Sequence, residues 1–381
     1  MENEISVVTA LQTIEAMDKQ KYNVVPIYIA KNGRWYSGKD FLAVGNYRNM
    51  ASLLKKRNEV YFKAEFGERI LHGPCGRKIA AIDVILPCLH GTNCEDGTVQ
   101  GLLDVIGIPY VGCNTFASAN GMDKISMKQI LRSAGIPVVD FEWFSDKDWD
   151  ENRDKIIARI EKNLEYPVIV KPSNSGSSVG IAPAHNKAEL EEAITNAAQF
   201  TTRIIVERML EHLKEVNCSV LGDYFECTPS VCEVPLRSGE ILTYSDKYME
   251  GGAKGAKSGA KLSGSKLGGA KSEGMRSTKR ELPANIPDNE TELIRTLAVK
   301  TFRTLGCEGV SRIDFMIDEV DRRVYVNEIN TIPGSLSSYL WDFSGIPFPE
   351  MIDRLISRAF QRTRENGFKV VDFGGNIFAS R

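Results

Sequence analysis

The sequence predicts an α/β domain followed by two further units of α+β type, and three observations carry that reading. Over residues 1–121, apolar runs of strand length alternate with helix-periodic segments, the pattern of a parallel sheet faced by helices. From Met122 a lysine-bearing helix, a strand ending in Lys171 and a Ser/Gly loop mark a second unit over 122–210. Within 211–381, two apolar runs flank a charged turn between Arg312 and Gly334, as in a β-hairpin. A chain of 381 residues exceeds one comfortable core, which agrees with several packed units.

The elements follow in order. Asn23–Ile29 and Ala80–Pro87 are rich in Val and Ile and read as strands. Asp96-Gly97-Thr98 supplies a capping residue for a helix whose Val99, Leu102, Leu103 and Ile106 recur at helical spacing. Ile108–Gly112 reads as another short strand. In the second unit a helix carries Lys124 and Lys128, Tyr166–Lys171 is a strand, 187–198 is a helix and Arg203–Glu207 a strand. The third unit holds strands near 215–221 and 226–235, a helix near 291–305, the hairpin, and a last helix near 349–362. Residues 250–281 break the pattern: across 251–280, Glu273 is the only acid against eight basic residues, amid Gly, Ala and Ser. Such a composition buries too little apolar surface to offset ordering entropy, so a flexible insertion is expected. A cationic lid over a polyphosphate is the functional alternative.

Composition excludes several classes. A net charge of −2 gives no overall basic excess for nucleic acid. No apolar run reaches bilayer length and no signal-peptide core opens the chain, so a cytoplasmic protein without membrane contact is expected. The eight cysteines are scattered without a Cys-x-x-Cys pair, which favours reduced core residues over disulfides or zinc ligands.

The hairpin carries the densest chemistry. Glu328 and Asn330 sit two apart, so on a strand they share a face, and an antiparallel partner brings Asp314 beside them. Two carboxylates and an amide oxygen suit Mg²⁺ or Mn²⁺ when phosphate oxygens complete the shell. A surface hairpin with polar residues facing water is the alternative. The ending Asn330-Thr331-Ile332-Pro333-Gly334 weighs against it, because a rigid Pro-Gly turn sets a backbone N–H beside the metals.

Two further signals join it. Lys171-Pro172-Ser173-Asn174-Ser175-Gly176-Ser177-Ser178-Val179-Gly180 suits an anion-cradling loop, although it is no Walker A loop. His90, in the loop Leu89–Thr98 after a buried-type strand, stands where ligands bind in open α/β sheets and is expected to orient or protonate a small substrate. His72, His185 and His212 have no such setting. Glu207 and Glu215, at the ends of neighbouring strands, are candidates for a ribose or an adenine amino group.

These segments, in this order, resemble the D-alanine–D-alanine ligase family of ATP-grasp enzymes. The resemblance rests on Glu2-Asn3-Glu4-Ile5-Ser6, on His90-Gly91-x-Asn93-x-Glu95-Asp96-Gly97-Thr98 and on Met122-Asp123-Lys124. It continues through Lys171-Pro172 with Gly176–Gly180, Asp246-Lys247-Tyr248, Arg312-x-Asp314 and Asn327-Glu328-x-Asn330-Thr331-x-Pro333-Gly334, nearly the whole chain. It implies a pre-ATP-grasp parallel-sheet domain followed by a two-subdomain ATP-grasp fold, in a homodimeric enzyme that joins two D-alanines with ATP for peptidoglycan precursor synthesis. By that resemblance Lys124, Lys171 and Lys247 contact ATP phosphates, with Ser178 in the loop closing over them. Glu207 and Leu210 would frame the adenine and Glu215 the ribose. Asp314 and Glu328 would hold one Mg²⁺ or Mn²⁺, and Glu328 and Asn330 a second. Glu2 would anchor the first substrate's ammonium together with Ser177 and Tyr248. Arg312 and the Gly334 N–H would stabilise the tetrahedral intermediate, with His90 and Ser335 on the substrate side.

Three departures from the family pattern stand out. The chain opens at Glu2-x-Glu4, so either a first strand and Gly-rich turn lie upstream of Met1, which is the expectation, or the N-terminal sheet is incomplete. The stretch Ser335–Trp341 is shorter than the family's second-substrate loop, which leaves D-serine, D-lactate or another acceptor open. The lysine-rich insertion replaces a compact lid. A nucleotide-binding protein without catalysis is the reading from another class, and the full set of metal and phosphate residues argues against it.

Overall fold

The computed structural model describes residues 3–55, 59–176, 179–236 and 280–369. Expectations that fall on Glu2, Ser177, Ser178, Lys247, Tyr248 and most of the 250–281 insertion lie outside the described residues.

The N-terminal unit comprises α1 (Asn3–Ala16), β1 (Ile27–Ile29), β2 (Trp35–Ser37), α2 (Met50–Lys55), β3 (Ile70–His72), β4 (Lys78–Ala81), α3 (Thr98–Ile106) and α4 (Thr115–Met122). Its regular ladders, β1 with β2 and β3 with β4, are antiparallel. Among the described residues the expected parallel pairing is one bridge, with Ile85 N donating to Pro109 O at 2.8 Å and Val111 N to Ile85 O at 2.9 Å. The single strand expected over Ala80–Pro87 is therefore corrected. Its start turns onto Ile70–His72, and Pro87 and Pro109, without N–H groups, limit the ladder on either side. Within Asp96-Gly97-Thr98 the cap of α3 is Gly97 at φ 87°, and Asp96 Oδ1 accepts from Thr98 N at 3.1 Å.

The second unit runs through α5 (Lys124–Ser133), β5 (Phe141–Ser145), α6 (Asp146–Asn163), β6 (Val168–Pro172), β7 (Ala182–Ala184), α7 (Lys187–Ala197) and β8 (Arg203–Arg208). The strands form an antiparallel sheet in the order β5-β8-β6-β7. Trp149, Ile156, Ile157 and Ile160 of α6 and Leu190 and Ile194 of α7 pack on Val168, Val170 and Val206. A reciprocal capping box between Ser145 and Asp148 starts α6.

The third unit adds β9 (Leu213–Gly222), β10 (Cys227–Pro235), β11 (Arg280–Glu281), α8 (Asp288–Thr304), β12 (Gly309–Asp318), β13 (Val324–Asn330), α9 (Ser338–Phe343) and α10 (Phe348–Gly367). Its sheet has the order β11-β10-β9-β12-β13. Val216, Cys218, Cys232, Phe302 and Phe315 fill its core, and Met127 and Leu131 of α5 enter the same cluster. Each such side chain removed from water contributes about 1.5–3 kcal/mol. The helix that carries Lys124 is thus anchored by its apolar face to the sheet that carries the hairpin.

Candidate active site

The β12–β13 register sets Asp314 opposite Glu328 and Arg312 opposite Asn330. A bulge follows Asp314, because Phe315 pairs with Val326 and Asn327 is left as the extra residue. Arg312 grips Asp314 with both arms, Nε to Oδ1 at 2.7 Å and Nη2 to Oδ2 at 2.8 Å. Asn330 Nδ2 donates to the same Oδ2 at 3.1 Å. Burial works against the Arg312 charge, but Asp314, with Tyr339 and Glu233 behind it, outweighs burial and holds the guanidinium protonated.

The two candidate phosphate lysines arrive from the second unit. Asp123 caps α5, accepting from Ser126 N at 2.7 Å and from Arg203 Nη1 at 2.8 Å. Lys124 N donates to Ser173 O at 2.8 Å, so the first turn of α5 is tied to the end of β6. Lys124 Nζ then donates to Ser175 O at 2.9 Å and stands 3.9 Å from Glu328 Oε2. Lys171 Nζ donates to Glu207 Oε2 at 2.8 Å and to Asn327 Oδ1 at 3.4 Å, so the bulge residue meets the phosphate strand. Close packing holds α4 against the hairpin: a Cβ on Gly121 would lie 3.0 Å from Thr331 Cγ2 and 3.1 Å from Ile329 Cγ2.

Glu207 is fully buried, and its second oxygen lies 3.3 Å from Nζ of the equally buried Lys128. Burial pushes the Glu207 carboxyl up, yet Lys128 and Lys171 prevail and pull it down to about 2. Its carboxylate therefore holds two lysines in place, a role not expected from its strand-end position. Leu210 is buried with Val139, Met316 and Tyr325, an apolar wall, and Glu215 sits opposite Met316 on β9.

On the other side His90 is buried, its Nε2 sharing a hydrogen bond of 2.9 Å with the Thr9 hydroxyl and its N–H donating to Ser6 Oγ at 2.9 Å. Burial pushes the imidazole down to about 4, with Arg312 adding repulsion, so it is neutral near pH 7. A neutral ring in this setting is better suited to orienting a substrate than to donating a proton. Thr9 Oγ1 also accepts from Ser335 N at 3.1 Å. Ser335, Leu336 and Ser337 follow Gly334 at φ 53°, 50° and 51°, a left-handed turn that bulky residues seldom adopt.

The fold thus gathers Lys124, Lys171, Glu207, Arg312, Asp314, Glu328 and Asn330 in one contact network. His90 and Ser335 are joined through Thr9, while Leu210 and Glu215 line the neighbouring wall. Thr9 is a site neighbour absent from the sequence expectations, which place Lys128 on the lysine helix and Asn327 in the hairpin motif without giving either a role. Lys128 lies one helical turn after Lys124, and Asn327 adjoins Glu328.

The family model described as D-ala D-ala ligase N-terminus matches residues 1–113, and D-ala D-ala ligase C-terminus matches 130–266 and 269–357. A D-alanine–D-alanine ligase of Thermosipho melanesiensis is 37% identical over 378 residues, covering 99% of this chain and 95% of the relative. Among solved structures, the D-alanine–D-alanine ligase from Coxiella burnetii superposes with a TM-score of 0.76 at 27% identity, covering 96% of this chain and 92% of that one. The VanG D-Ala:D-Ser ligase from Enterococcus faecalis gives 0.77 at 29% identity, covering 94% and 96%. With lysines, carboxylates and ATP-grasp architecture in family order, the chain belongs to the D-alanine–D-alanine ligase family.

Proposed function

We propose that this ligase joins two D-alanines through an acyl phosphate, with ATP as the phosphoryl donor, in the synthesis of cell-wall precursors. One observation supports it above the others: Lys124 Nζ stands 3.9 Å from Glu328 Oε2, so the phosphate-type lysine and the metal-type hairpin share one site.

A carboxylate is a poor acyl donor because its oxygen leaves badly. Attack of that oxygen on the γ-phosphorus expels ADP and forms the acyl phosphate. The amine of the second amino acid then attacks the acyl carbon, phosphate departs with the former carboxylate oxygen, and the amine loses a proton. Lys124 and Lys171 hold and neutralise the phosphates, the main task in phosphoryl transfer. Lys247 and Ser178 join them in this reading. Asp314, Glu328 and Asn330 offer an all-oxygen donor set on one strand pair, which fits two Mg²⁺ or Mn²⁺ ions that would neutralise phosphate charge. The wall of Val139, Leu210, Met316 and Tyr325 receives the adenine, and Glu215 the ribose. Neutral His90 orients the first D-alanine, whose ammonium Glu2 anchors with Ser177 and Tyr248. Arg312 and the Gly334 N–H face the developing oxyanion, and losing one such donor costs about 2.7–4 kcal/mol in the barrier. The enzyme acts as a cytoplasmic homodimer in this reading, and no described helix is long and apolar enough to cross a membrane.

D-Serine is the second acceptor worth testing, because VanG, a D-Ala:D-Ser ligase, superposes over most of the chain. Incubation with ATP, Mg²⁺ and a panel of D- and L-amino acids and D-lactate, with products identified by mass, separates the readings. D-Alanyl-D-alanine as the main product is expected. A mixed product in excess reassigns the acceptor, and no product from any pair refutes ligation.

A further inference from the structure

The row of site residues does not stop at Asp314. Across the third sheet, Glu328 on β13 faces Asp314 on β12, Asp314 faces Asn217 on β9, and Asn217 faces Glu233 on β10. Directly opposed residues share a face, so Glu233 ends the line that begins with the metal-type pair. Its carboxylate is buried and saturated: Arg280 Nη1 donates at 2.8 Å, the Tyr339 hydroxyl at 2.7 Å and Asn217 Nδ2 at 3.0 Å. The Arg280 guanidinium also lies over the Tyr339 ring, 3.8 Å from its centroid. Tyr339 belongs to α9, which begins directly after the turn that starts at Gly334. The phenol is pushed well up by burial and by Glu233, so it stays a donor.

This places a second carboxylate, besides Asp314, on the face that holds Arg312. Were Glu233 uncompensated, its field would draw on the Arg312 charge in a setting where screening is weak. Arg280 removes that competition with an ion pair whose members are both shielded from water, side-chain exposure being 10% and 2%. We propose that Arg280 is a positioning residue that neutralises Glu233 and so leaves the Arg312 charge available to the oxyanion that develops when the second amino acid attacks. The inference rests on the ligase reading above. Arg280 acts through Glu233 and Arg312 on the field that the oxyanion meets, and its guanidinium fixes the Tyr339 ring.

The test is a double-mutant cycle in the full-length enzyme, with steady-state constants for ATP and for the second amino acid determined separately. Arg280→Met leaves Glu233 unneutralised and lowers kcat about tenfold, the equivalent of about 1.4 kcal/mol, while the KM values for ATP and for the second amino acid stay within about twofold. Glu233→Gln with Arg280 intact raises kcat, and the double variant returns to within about threefold of wild type. Should Arg280→Met fail to fold, the Glu233→Gln variant decides, since a lowered kcat there reverses the expected sign and overturns the proposal. An unchanged kcat in Arg280→Met, or a double variant no better than it, also overturns it. A wild type that ligates normally beside such a result keeps the ligase reading; a wild type that forms no dipeptide removes both.

Discussion

Replacing Lys128 by methionine removes a cation with no exposed surface whose Nζ lies 3.3 Å from Glu207 Oε1. Burial pushes this lysine from its ordinary 10.5 down to about 8; Glu207 opposes the fall, while Lys171 and Lys124 add repulsion. A lowering of that size corresponds to about 3 kcal/mol at 1.36 kcal/mol per pH decade. The sign follows from proton counts. Between pH 8 and 10.5 the unfolded chain keeps the lysine proton that the folded chain has lost, so stability rises with pH across that window. At pH 7 the cost of burying the charge is carried in full. Relative to Lys128→Met, the wild type gains about 2 kcal/mol on going from pH 7.5 to 9.5. The variant also leaves Glu207 to Lys171 alone, tightening that 2.8 Å pair and drawing Lys171 from the phosphates, so the KM for ATP rises. Urea denaturation of both proteins at the two pH values, with ATP kinetics at pH 7.5, measures each effect. Identical pH dependence of stability and an unchanged KM for ATP would refute the buried triad as a working unit.

Two further perturbations probe the rest of the site. Glu328→Gln keeps the shape of the hairpin but removes the carboxylate proposed for both metal positions, so metal-dependent ADP release is expected to be lost while the melting curve stays near wild type; full activity in the variant would sink the metal assignment. His90, pushed down to about 4 by burial, withholds a proton that the unfolded chain accepts below about 6.5, so stability falls by up to about 3 kcal/mol as pH drops through that interval. His90→Gln flattens that segment of the pH–stability curve, and an unaltered curve contradicts the assignment.

Much of the candidate site was legible because its residues lie on regular strands. Alternation around Asp314, Glu328 and Asn330 settles which side chains share a face before any fold is known. The bulge after Asp314 was not legible, since two-against-one pairing depends on the partner strand, and it is this bulge that carries Asn327 to Lys171. The lysine pair around Glu207 escaped for a related reason: α5 and β8 are distant in sequence, and only tertiary packing reveals that Lys128 faces a carboxylate. Helix α6 was overlooked although Ser145 and Asp148 form a capping box, because its sparse apolar positions give a weak periodic signal. In the N-terminal unit, apolar runs at 80–87 and 108–112 have strand composition, yet proline and the competing β3 partner leave one parallel bridge between them.

The acyl phosphate is the central claim, and an isotope measurement reaches it directly. D-Alanine labelled with ¹⁸O in its carboxylate is supplied with ATP and Mg²⁺, and the inorganic phosphate released is analysed by mass. Because the carboxylate oxygen attacks the γ-phosphorus and leaves with it, one ¹⁸O per phosphate is predicted, matched by one ADP per dipeptide. Dipeptide formed with unlabelled phosphate would contradict the mechanism.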